Sequence, residues 1–443
     1  MPIDYSKFDG LGDDSSDDEG GAPPRQSSCA LKAKDANRFM KAAKVGQDEV
    51  VRQCIKEGVD VNSCQHGKTA LHWASHRGDL PMARCLITAR AEVNSIDNQG
   101  VTPLFMACNT LGHKKVVSLL LAEGATVDLA NRLGATALMV ACERAHLDII
   151  HVLIAARANV NHADAEGVGA LYMASEKGWP AVVKVLMAAG ADGDHADVDG
   201  NTPLYVAATD GNADVVRALC EGGASASKGG PKGATPFLVA CDQGHLDCVK
   251  LLSSYGAPRS APITIHGDRG VHGGSGSTVE VHVGRERAEI KGHTDVCTWL
   301  DATEGWISPL HHLPLLDEHR APLLDVARVR ALLRDGADVK AAKMGGGPTP
   351  LALARQVLEV GQQAKEGSPA ALVLLAAQPW SPMNHELFPA RARALAVETL
   401  LLGHLLARRP QFQNSAAGWL DVWMTAVMPY AVRSCTEARA PSR

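Results

Sequence analysis

The apolar positions of the chain recur in a block of about 33 residues. Each block opens with Gly-x-Thr-Pro/Ala-Leu, continues through an apolar turn, and holds a second apolar stretch after a Gly-His-like break. Two short apolar stretches at helical spacing, separated by a polar break, predict a pair of helices in each block. The six openings are spaced 33, 34, 33, 33 and 33 residues apart, at Thr69, Thr102, Thr136, Gly169, Thr202 and Thr235.

Local signals predict where these helices begin and end. Threonine at the opening can cap free amides of the first helical turn, and a following proline such as Pro103 loses no needed donor. Gly178, Gly211 and Gly244 fall nine residues after an opening, where the first helix must stop and a positive φ is needed. One helix pair cannot bury its own apolar face, so neighbouring blocks must stack to form the core.

Two positions depart from this pattern. Gly169 stands where a capping threonine is expected, and Ala145 stands where the other blocks have the turn glycine. We predict that Gly169→Thr and Ala145→Gly each stabilise the chain, because the first restores a cap and the second relieves a left-handed alanine.

The period, the helix starts and the Gly-Ala-Asp-Val-like endings together resemble the ankyrin repeat over residues 31–260. The resemblance implies an all-α ankyrin-repeat solenoid, built from helix-turn-helix repeats with short hairpin-like connections and followed by a C-terminal helical extension. Residues 35–64 are expected to form the N-terminal capping unit. The whole layout is similar to ankyrin proteins predicted in single-celled algae, which brings no activity to transfer.

The regions outside the array have different compositions. Residues 1–30 are expected to be a disordered acidic tail, and residues 261–290 a glycine-rich inserted loop or hairpin. Residues 291–379 hold degenerate ankyrin repeats. Residues 380–443 are expected to form a C-terminal helical cap, with apolar helices at 390–407 and 416–432.

The net charge of −5 comes from the tail, because residues 1–30 carry seven acids against Lys7 and Arg25 and the rest of the chain is balanced. Ser15 and Ser16 have acids three positions further on, which resembles a site for acid-directed kinases. A tail that only aids solubility is the alternative.

The sequence carries no motif for catalysis or for a cofactor. Neither a Gly-x-Ser-x-Gly elbow, nor a His-Glu-x-x-His pair, nor a complete P-loop occurs. His266, His272, His282 and His293 lack the spacing that places two metal ligands on one helical face. Cys108, Cys142 and Cys241 share one repeat position, which predicts reduced thiols in the core. We therefore expect no enzyme, no cofactor and no metal.

The ankyrin resemblance implies that a protein partner is bound by the connection tips and by the concave face at the ends of the first helices. Both charge signs occur among these positions, which argues against a nucleic-acid groove because such a groove needs a basic stripe. The candidate protein-binding residues are His66, His76, Arg77, Gln99, Asn109, Thr110, Arg132, Glu143, Arg144, Glu166, Glu176, Lys177, Asp199, Thr209, Asp210, Lys232, Asp242 and Gln243. Asn62, Asn94 and Asn161, at the repeat endings, are expected to bond the connections together, and they also resemble acceptors of ankyrin asparagine hydroxylation.

These observations predict a monomeric, non-catalytic scaffold or adaptor inside the cell, in the cytoplasm with the nucleus left open. No apolar run reaches the roughly 18 residues that span a bilayer, and no secretory signal is recognisable. One alternative is a substrate-recruiting adaptor of a ubiquitin ligase that uses the C-terminal helices as a ligase-binding hook. Another is an enzyme whose site lies in residues 261–290.

Overall fold

The computed structural model describes residues 28–109, 112–228, 230–259, 283–304, 309–312, 323–335, 337–339, 348–359, 368–377 and 387. The described residues are mostly helical, and their only strands are the two-residue segments β1 (Cys64–Gln65) and β2 (Lys68–Thr69), which pair antiparallel. The chain divides into two compact units, whose described residues are 28–239 and 240–387.

Each predicted block holds a helix pair. The pairs that lie in the first unit are α1 (Ser28–Val45) and α2 (Asp48–Lys56), α3 (Ala70–Arg77) and α4 (Leu80–Thr88), α5 (Pro103–Asn109) and α6 (Lys114–Ala122), α7 (Ala137–Glu143) and α8 (Leu147–Ala155), α9 (Ala170–Glu176) and α10 (Pro180–Ala188), α11 (Pro203–Thr209) and α12 (Ala213–Glu221). Helix α13 (Pro236–Gln243) contains the boundary between the units, and α14 (Leu246–Ser254) follows it.

Neighbouring pairs stack, as the repeat requires. First helices contact first helices, from α3 through α5, α7 and α9 to α11, and second helices contact second helices from α4 to α12. The leucine that follows each opening is buried in this stack, at Leu71, Leu104, Leu138, Leu171 and Leu204. The predicted all-α repeat solenoid is therefore confirmed.

The helix signals act as predicted. The hydroxyls of Thr102 and Thr202 accept the amides of Phe105 (3.1 Å) and Tyr205 (3.2 Å). Gly169 has no side chain to do so, and a Cβ built on it would lie 3.2 Å from the carbonyl oxygen of His162. The turn glycines are left-handed, and Ala145 shares that conformation with φ of 57°.

The second unit continues with helices that the sequence patterns located less well. They are α15 (Val283–Lys291), α16 (Thr294–Ala302), a 3₁₀ turn (Pro309–His312), α17 (Val326–Arg334), α18 (Pro350–Glu359) and α19 (Pro369–Ala376). The residues that form its core are Leu310, Leu324, Val329, Leu332, Leu333, Ala354, Ala370, Leu372, Val373 and Leu387.

Two predicted boundaries need correction. Helix α15 takes up residues 283–290 of the segment predicted as a loop or hairpin, and it packs beside α16. Its residues are good helix formers, and Arg285 pairs with Glu289 one turn later at 2.8 Å. Residues 28–30, predicted as tail, are the first turn of α1.

Several predictions lie outside the described residues. These concern the rest of the tail, residues 261–282 of the glycine-rich insertion, and the helices at 390–407 and 416–432. In the part of the chain that is described, none of the helices is long and apolar enough to cross a lipid bilayer.

Candidate protein-binding surface

The connection tips are held by one repeated hydrogen-bond pattern, which is the first of three hydrogen-bond ladders along the repeats. An Asp or Asn side chain at each tip accepts the amides two and four residues further on, as Asp97 does from Gln99 (2.8 Å) and Val101 (2.9 Å). The residues that make this pattern are Asp97, Asn131, Asp164 and Asp197. Such side-chain bonds satisfy the turn backbone locally.

Adjacent tips are also joined to each other through the backbone. The amide of Arg132 donates to the carbonyl of Gln99, and the amide of Val198 donates to that of Glu166, each at 2.9 Å. These bonds join the tip of Asp97 to that of Asn131 and the tip of Asp164 to that of Asp197, while tip side chains such as Gln99 and Arg132 remain exposed.

A second ladder ties the turn of one repeat to the next repeat. In several repeats the residue before the second helix donates a side-chain N–H to a carbonyl at the end of the first helix of the preceding repeat. His113 Nε2 bonds to His76 O (3.1 Å), Trp179 Nε1 to Glu143 O (3.2 Å), and Asn212 Nδ2 to Ser175 O (3.3 Å). In the second unit His293 Nε2 bonds to Asp242 O (3.0 Å).

This ladder explains the turn glycines. A Cβ on Gly78 would lie 2.2 Å from Nδ1 of His113, so only glycine leaves room for the imidazole ring. His113 and His293 therefore have a structural role at the turns between the helices.

A third ladder runs along the repeat endings. Asn62 Oδ1 accepts the amide of Glu92, Asn94 Oδ1 that of Thr126, and Asn161 Oδ1 that of Asp192, each at 2.8 Å. The predicted bonding of the connections by these asparagines is thereby confirmed.

The core thiols occupy the interior of the stack. Burial raises the pKa of the Cys108 and Cys142 thiols, and that of Cys241 to about 12, so all three are protonated at neutral pH. In the described ranges, no three His, Cys, Asp or Glu side chains converge as metal ligands would.

The candidate binding residues differ in how much of them is accessible. Those with exposed side chains are His66, Gln99, Arg132, Lys177, Asp199, Asp210 and Gln243. Those that are partly buried are His76, Arg77, Arg144, Glu166, Glu176, Thr209 and Asp242. Asp242 and Gln243 belong to the second unit. Thr110 and the side chain of Lys232 lie outside the described residues.

Three candidates are occupied with the fold itself. Asn109 is 1% exposed and Glu143 is 7% exposed, so neither offers a partner much surface in this arrangement. Arg77 donates to the carbonyls of Ala43 and Lys44, and it pairs with Asp79 at 3.1 Å. Its guanidinium therefore ties the end of α1 to the turn after α3.

Both signs of charge occur on the first-unit surface, and acids predominate among the later candidates. The early repeats carry Arg77, Arg132 and Arg144 together with Glu143, whereas the later ones carry Lys177 among several acids. The acids that share this later surface are Glu166, Glu176, Asp197, Asp199 and Asp210. Tyr172 donates to Asp197 (3.1 Å), and burial followed by this carboxylate raises the pKa of the phenol.

Sequence reasoning missed a group of basic and aromatic residues in the first repeats. Lys44 Nζ and Lys68 Nζ lie 5.5 and 5.1 Å from the centre of the Trp73 ring, and the His76 ring lies 6.4 Å from it, edge to face. We call Lys44, Lys68, Trp73 and His76 the basic-aromatic patch. The two lysines are 24 residues apart in sequence, on α1 and β2, so only the fold brings them to one indole ring.

Comparison with known proteins identifies the repeat. A family model described as ankyrin repeats (3 copies) matches residues 39–131, 124–197 and 171–260, which together span half of the chain. The chain belongs to the ankyrin-repeat family. Ankyrin repeats are protein-interaction modules, and the surface described above is therefore considered as a protein-binding scaffold.

Several curated proteins are similar over the repeats alone. The ankyrin repeat protein YahD of Escherichia coli (strain K12) is 30% identical over 110 residues, which cover 25% of this chain and 54% of YahD. The ADP-ribosylation factor GTPase-activating protein AGD4 of Arabidopsis thaliana is 36% identical over 103 residues, covering 23% and 13%. Human ankyrin repeat and SOCS box protein 16 is 34% identical over 100 residues, covering 22% of each chain. The aligned part thus spans about half of YahD and less of the other two.

Proposed function

We propose that this ankyrin-repeat protein is a non-catalytic scaffold or adaptor that binds a segment of another protein on its tips and first-helix ends. The observation that carries the proposal is that the backbone and the side chains of the tips make different contacts. Backbone groups of the tips are bonded within the array, while the side chains of Gln99, Arg132 and Asp199 remain exposed. A rigid backbone that displays varied side chains loses little entropy on binding.

The charge arrangement favours a protein partner over nucleic acid. A polyanion that followed the bases of the early repeats would next meet Glu166, Asp199 and Asp210, where it would be repelled. We propose accordingly that the chain acts as a monomer in the cytoplasm or nucleus, without a cofactor.

The test compares two charge-reversed variants that keep the net charge. Arg132→Glu with Asp199→Lys alters the tips, whereas Lys115→Glu with Glu123→Lys alters the exposed side of α6 and leaves the tips unchanged. Partners recovered by proximity labelling with quantitative mass spectrometry should fall about tenfold for the tip variant only, since lost complementary charges remove on the order of 1.4 kcal/mol. Equal recovery with both variants would refute the proposal.

The ligase-adaptor alternative assigns residues 380–443 to a hook. Leu387, the one residue of that segment that is described, is 6% exposed and belongs to the core of the second unit. This packing supports a cap in preference to a hook. Deleting residues 411–443 should therefore reduce solubility or folding, whereas a well-folded product that no longer recovers ligase subunits would favour the hook.

A further inference from the structure

Two arginines of the first unit adopt a backbone conformation that favours glycine. Arg90 and Arg157 have φ of 67° and 63°, in the left-handed region. Each lies two residues after the end of a second helix, α4 or α8, and its amide donates to the carbonyl three residues earlier at 2.9 Å. At the equivalent position the other second helices of this unit are followed by the left-handed glycines Gly58, Gly124, Gly190 and Gly223. Arginine at this position therefore strains the backbone, whereas glycine does not.

Packing within the array does not account for the two arginines. A Cβ built on any of the four equivalent glycines would meet no atom beyond its chain neighbours within 4 Å, so a side chain at this position points away from the array. Arg90 and Arg157 are correspondingly exposed. In the part of the chain that the structure describes, neither guanidinium makes a hydrogen bond or an ion pair. The fold therefore gains no contact from these side chains in exchange for the strain.

Stabilisation of the helix end is the structural alternative. Cations are favoured near the C-terminus of a helix, where carbonyl groups lack partners. Here the backbone supplies those partners, because the amides of residues 89–91 donate to carbonyls of α4 and those of residues 156–158 to carbonyls of α8. A base within the last helical turn would also face the same carbonyls without a left-handed backbone. The helix end therefore does not require arginine at this position.

The two arginines lie on one edge of the array. Helix α6 contacts both α4 and α8, and packed helices are about 8–10 Å apart, so equivalent positions on α4 and α8 are separated by about 20 Å. We propose that Arg90 and Arg157, which we call the arginine edge, bind an extended acidic segment of another protein. An extended chain rises about 3.3 Å per residue, so carboxylates about six residues apart would reach both guanidinium groups. Each group can hold a carboxylate through two parallel N–H···O bonds.

The charges beside the arginine edge favour a protein segment over a nucleic acid or a lipid surface. Glu92 follows Arg90 by two residues, Glu123 precedes the glycine that lies between the two arginines in the row, and both glutamates are exposed. Closely spaced phosphates would meet these carboxylates as well as the arginines and would be repelled. A peptide can place carboxylates against the arginines and neutral residues against the glutamates.

The arginine edge shares no residue with the candidate surface of the tips and first-helix ends. A partner bound there would leave the tips accessible, so the array would hold two proteins at once. Binding at this edge therefore does not depend on the proposed function.

The test is selection of a phage-displayed library of random peptides on the immobilised full chain, with peptides of about twelve residues so that they span the edge. Peptides that carry carboxylates about six residues apart should be enriched. Their recovery should fall about tenfold on Arg90→Gly with Arg157→Gly, and it should be lost at about 1 M salt, where the Debye length is about 3 Å. The control is Arg52→Gln with Lys184→Gln, which removes the same charge from bases that pair with Glu49 (3.2 Å) and Glu221 (4.0 Å). This control should recover the peptides like the unchanged chain.

Thermal unfolding separates a binding role from a structural one. Arg90→Gly with Arg157→Gly should raise the unfolding midpoint of the first unit, because glycine adopts the left-handed conformation without strain. Lost peptide recovery then cannot come from unfolding. A lower midpoint would show that the arginines stabilise the fold, and it would overturn the proposal.

Three further outcomes bear on the class of partner. Equal peptide recovery with the glycine and control variants, or enrichment of peptides without spaced carboxylates, would also overturn the proposal. So would binding of vesicles that contain phosphatidylserine, or of single-stranded RNA, through Arg90 and Arg157 when no peptide is enriched. The tip variant, Arg132→Glu with Asp199→Lys, should recover the peptides like the unchanged chain. Failure at the arginine edge is therefore distinguishable from failure of the proposed function.

Discussion

The two units of the chain are stabilised in different ways. In the first unit the same three hydrogen-bond ladders recur from repeat to repeat, so each contact is one of several similar ones. In the described part of the second unit the turn ladder continues at His293, and a buried network also joins residues that are far apart in sequence. A repeated array therefore distributes its stability over many similar contacts, whereas the irregular unit depends more on a few individual residues.

Arg259 lies at the centre of this buried network in the second unit. Its Nε and Nη2 donate to Ser253 Oγ at 2.9 and 2.6 Å, and its Nη1 donates to Thr303 O at 2.8 Å. Its guanidinium also lies 5.1 Å from the centre of the Trp299 ring. Burial lowers the pKa of Arg259 to about 10, but the group remains charged at neutral pH.

The largest expected effect is therefore from Arg259→Lys. An ammonium group cannot reproduce the planar fork, so some of these charge-assisted bonds are lost and buried oxygens remain unpaired. We expect the free energy of unfolding of the second unit to fall by about 3 kcal/mol, measured by chemical denaturation. Arg287→Lys, at a partly exposed arginine of α15 that pairs with Asp242 at 3.4 Å, is the matched control and should change it by less than about 0.5 kcal/mol. Similar losses of unfolding free energy in both variants would show that the hydrogen-bond network of Arg259 contributes no more than the contacts of Arg287.

The same network makes the second unit sensitive to acid. Ser253 Oγ accepts two bonds from Arg259, so its own proton must go to His312 Nε2 at 3.0 Å, and His312 Nδ1 then donates to Pro309 O. This arrangement requires a neutral imidazole. Burial, followed by the charge of Arg259 and by His311, lowers the pKa of His312 to about 3.

The sign of the pH dependence follows from this shift. The unfolded histidine has a pKa near 6.5 and binds a proton between about pH 6.5 and pH 3, whereas the folded one does not. Acid therefore favours unfolding, and the stabilisation present above pH 6.5 is lost as the pH falls. We expect a loss of about 2 kcal/mol between pH 6.5 and pH 5 from this group, measured by denaturation at each pH.

His312→Gln should remove that part of the dependence of the unfolding free energy on pH. His113→Gln, in the first unit, should leave this pH dependence in place. Carboxylates also titrate at low pH and contribute to the same measurement. The informative quantity is therefore the difference between the variant and the unchanged chain in how steeply the unfolding free energy falls with pH. An unchanged slope in His312→Gln would mean that this histidine is protonated in the folded chain or that it is not buried.

In the first unit single deletions should cost less and should add. Asn161→Ala removes the bonds to the Asp192 amide (2.8 Å) and to the Gly190 carbonyl (3.2 Å), and we expect a loss of about 1 kcal/mol. Asn94→Ala removes the equivalent bonds two repeats earlier. The double variant should lose the sum within about 0.5 kcal/mol, because the sites share no partner. Asn98→Ala, at an exposed tip, is the control. A double variant well outside the sum would show that the ladder acts as one unit.

The sequence predicted the repeated part of the fold because its signals are local. The capping threonines, the turn glycines and the asparagines at the repeat endings each act within one repeat or on the next. The Arg259 network and the basic-aromatic patch were missed because their residues meet only after folding. Thr303, for example, bonds to a residue 44 positions earlier, and no periodicity connects the two. Burial of Asn109 and Glu143 was missed for a related reason, since the end of a first helix is exposed or buried according to the neighbouring repeat.

The smallest expected effect concerns Ala145, which replaces the glycine of the turn between the two helices of a repeat. Ala145 is left-handed, with φ of 57°, which costs about 1 kcal/mol for an alanine. In the next repeat the ladder residue is Trp179, whereas Gly78 and Gly112 face histidines. Ala145→Gly should therefore raise the free energy of unfolding by less than about 1 kcal/mol, because strain is relieved while glycine loses more backbone entropy on folding than alanine. Ala156→Gly, at φ of −79°, should instead lower it slightly in the same thermal or chemical melt. If both changes shifted the midpoint in one direction, backbone strain at Ala145 would not be the cause.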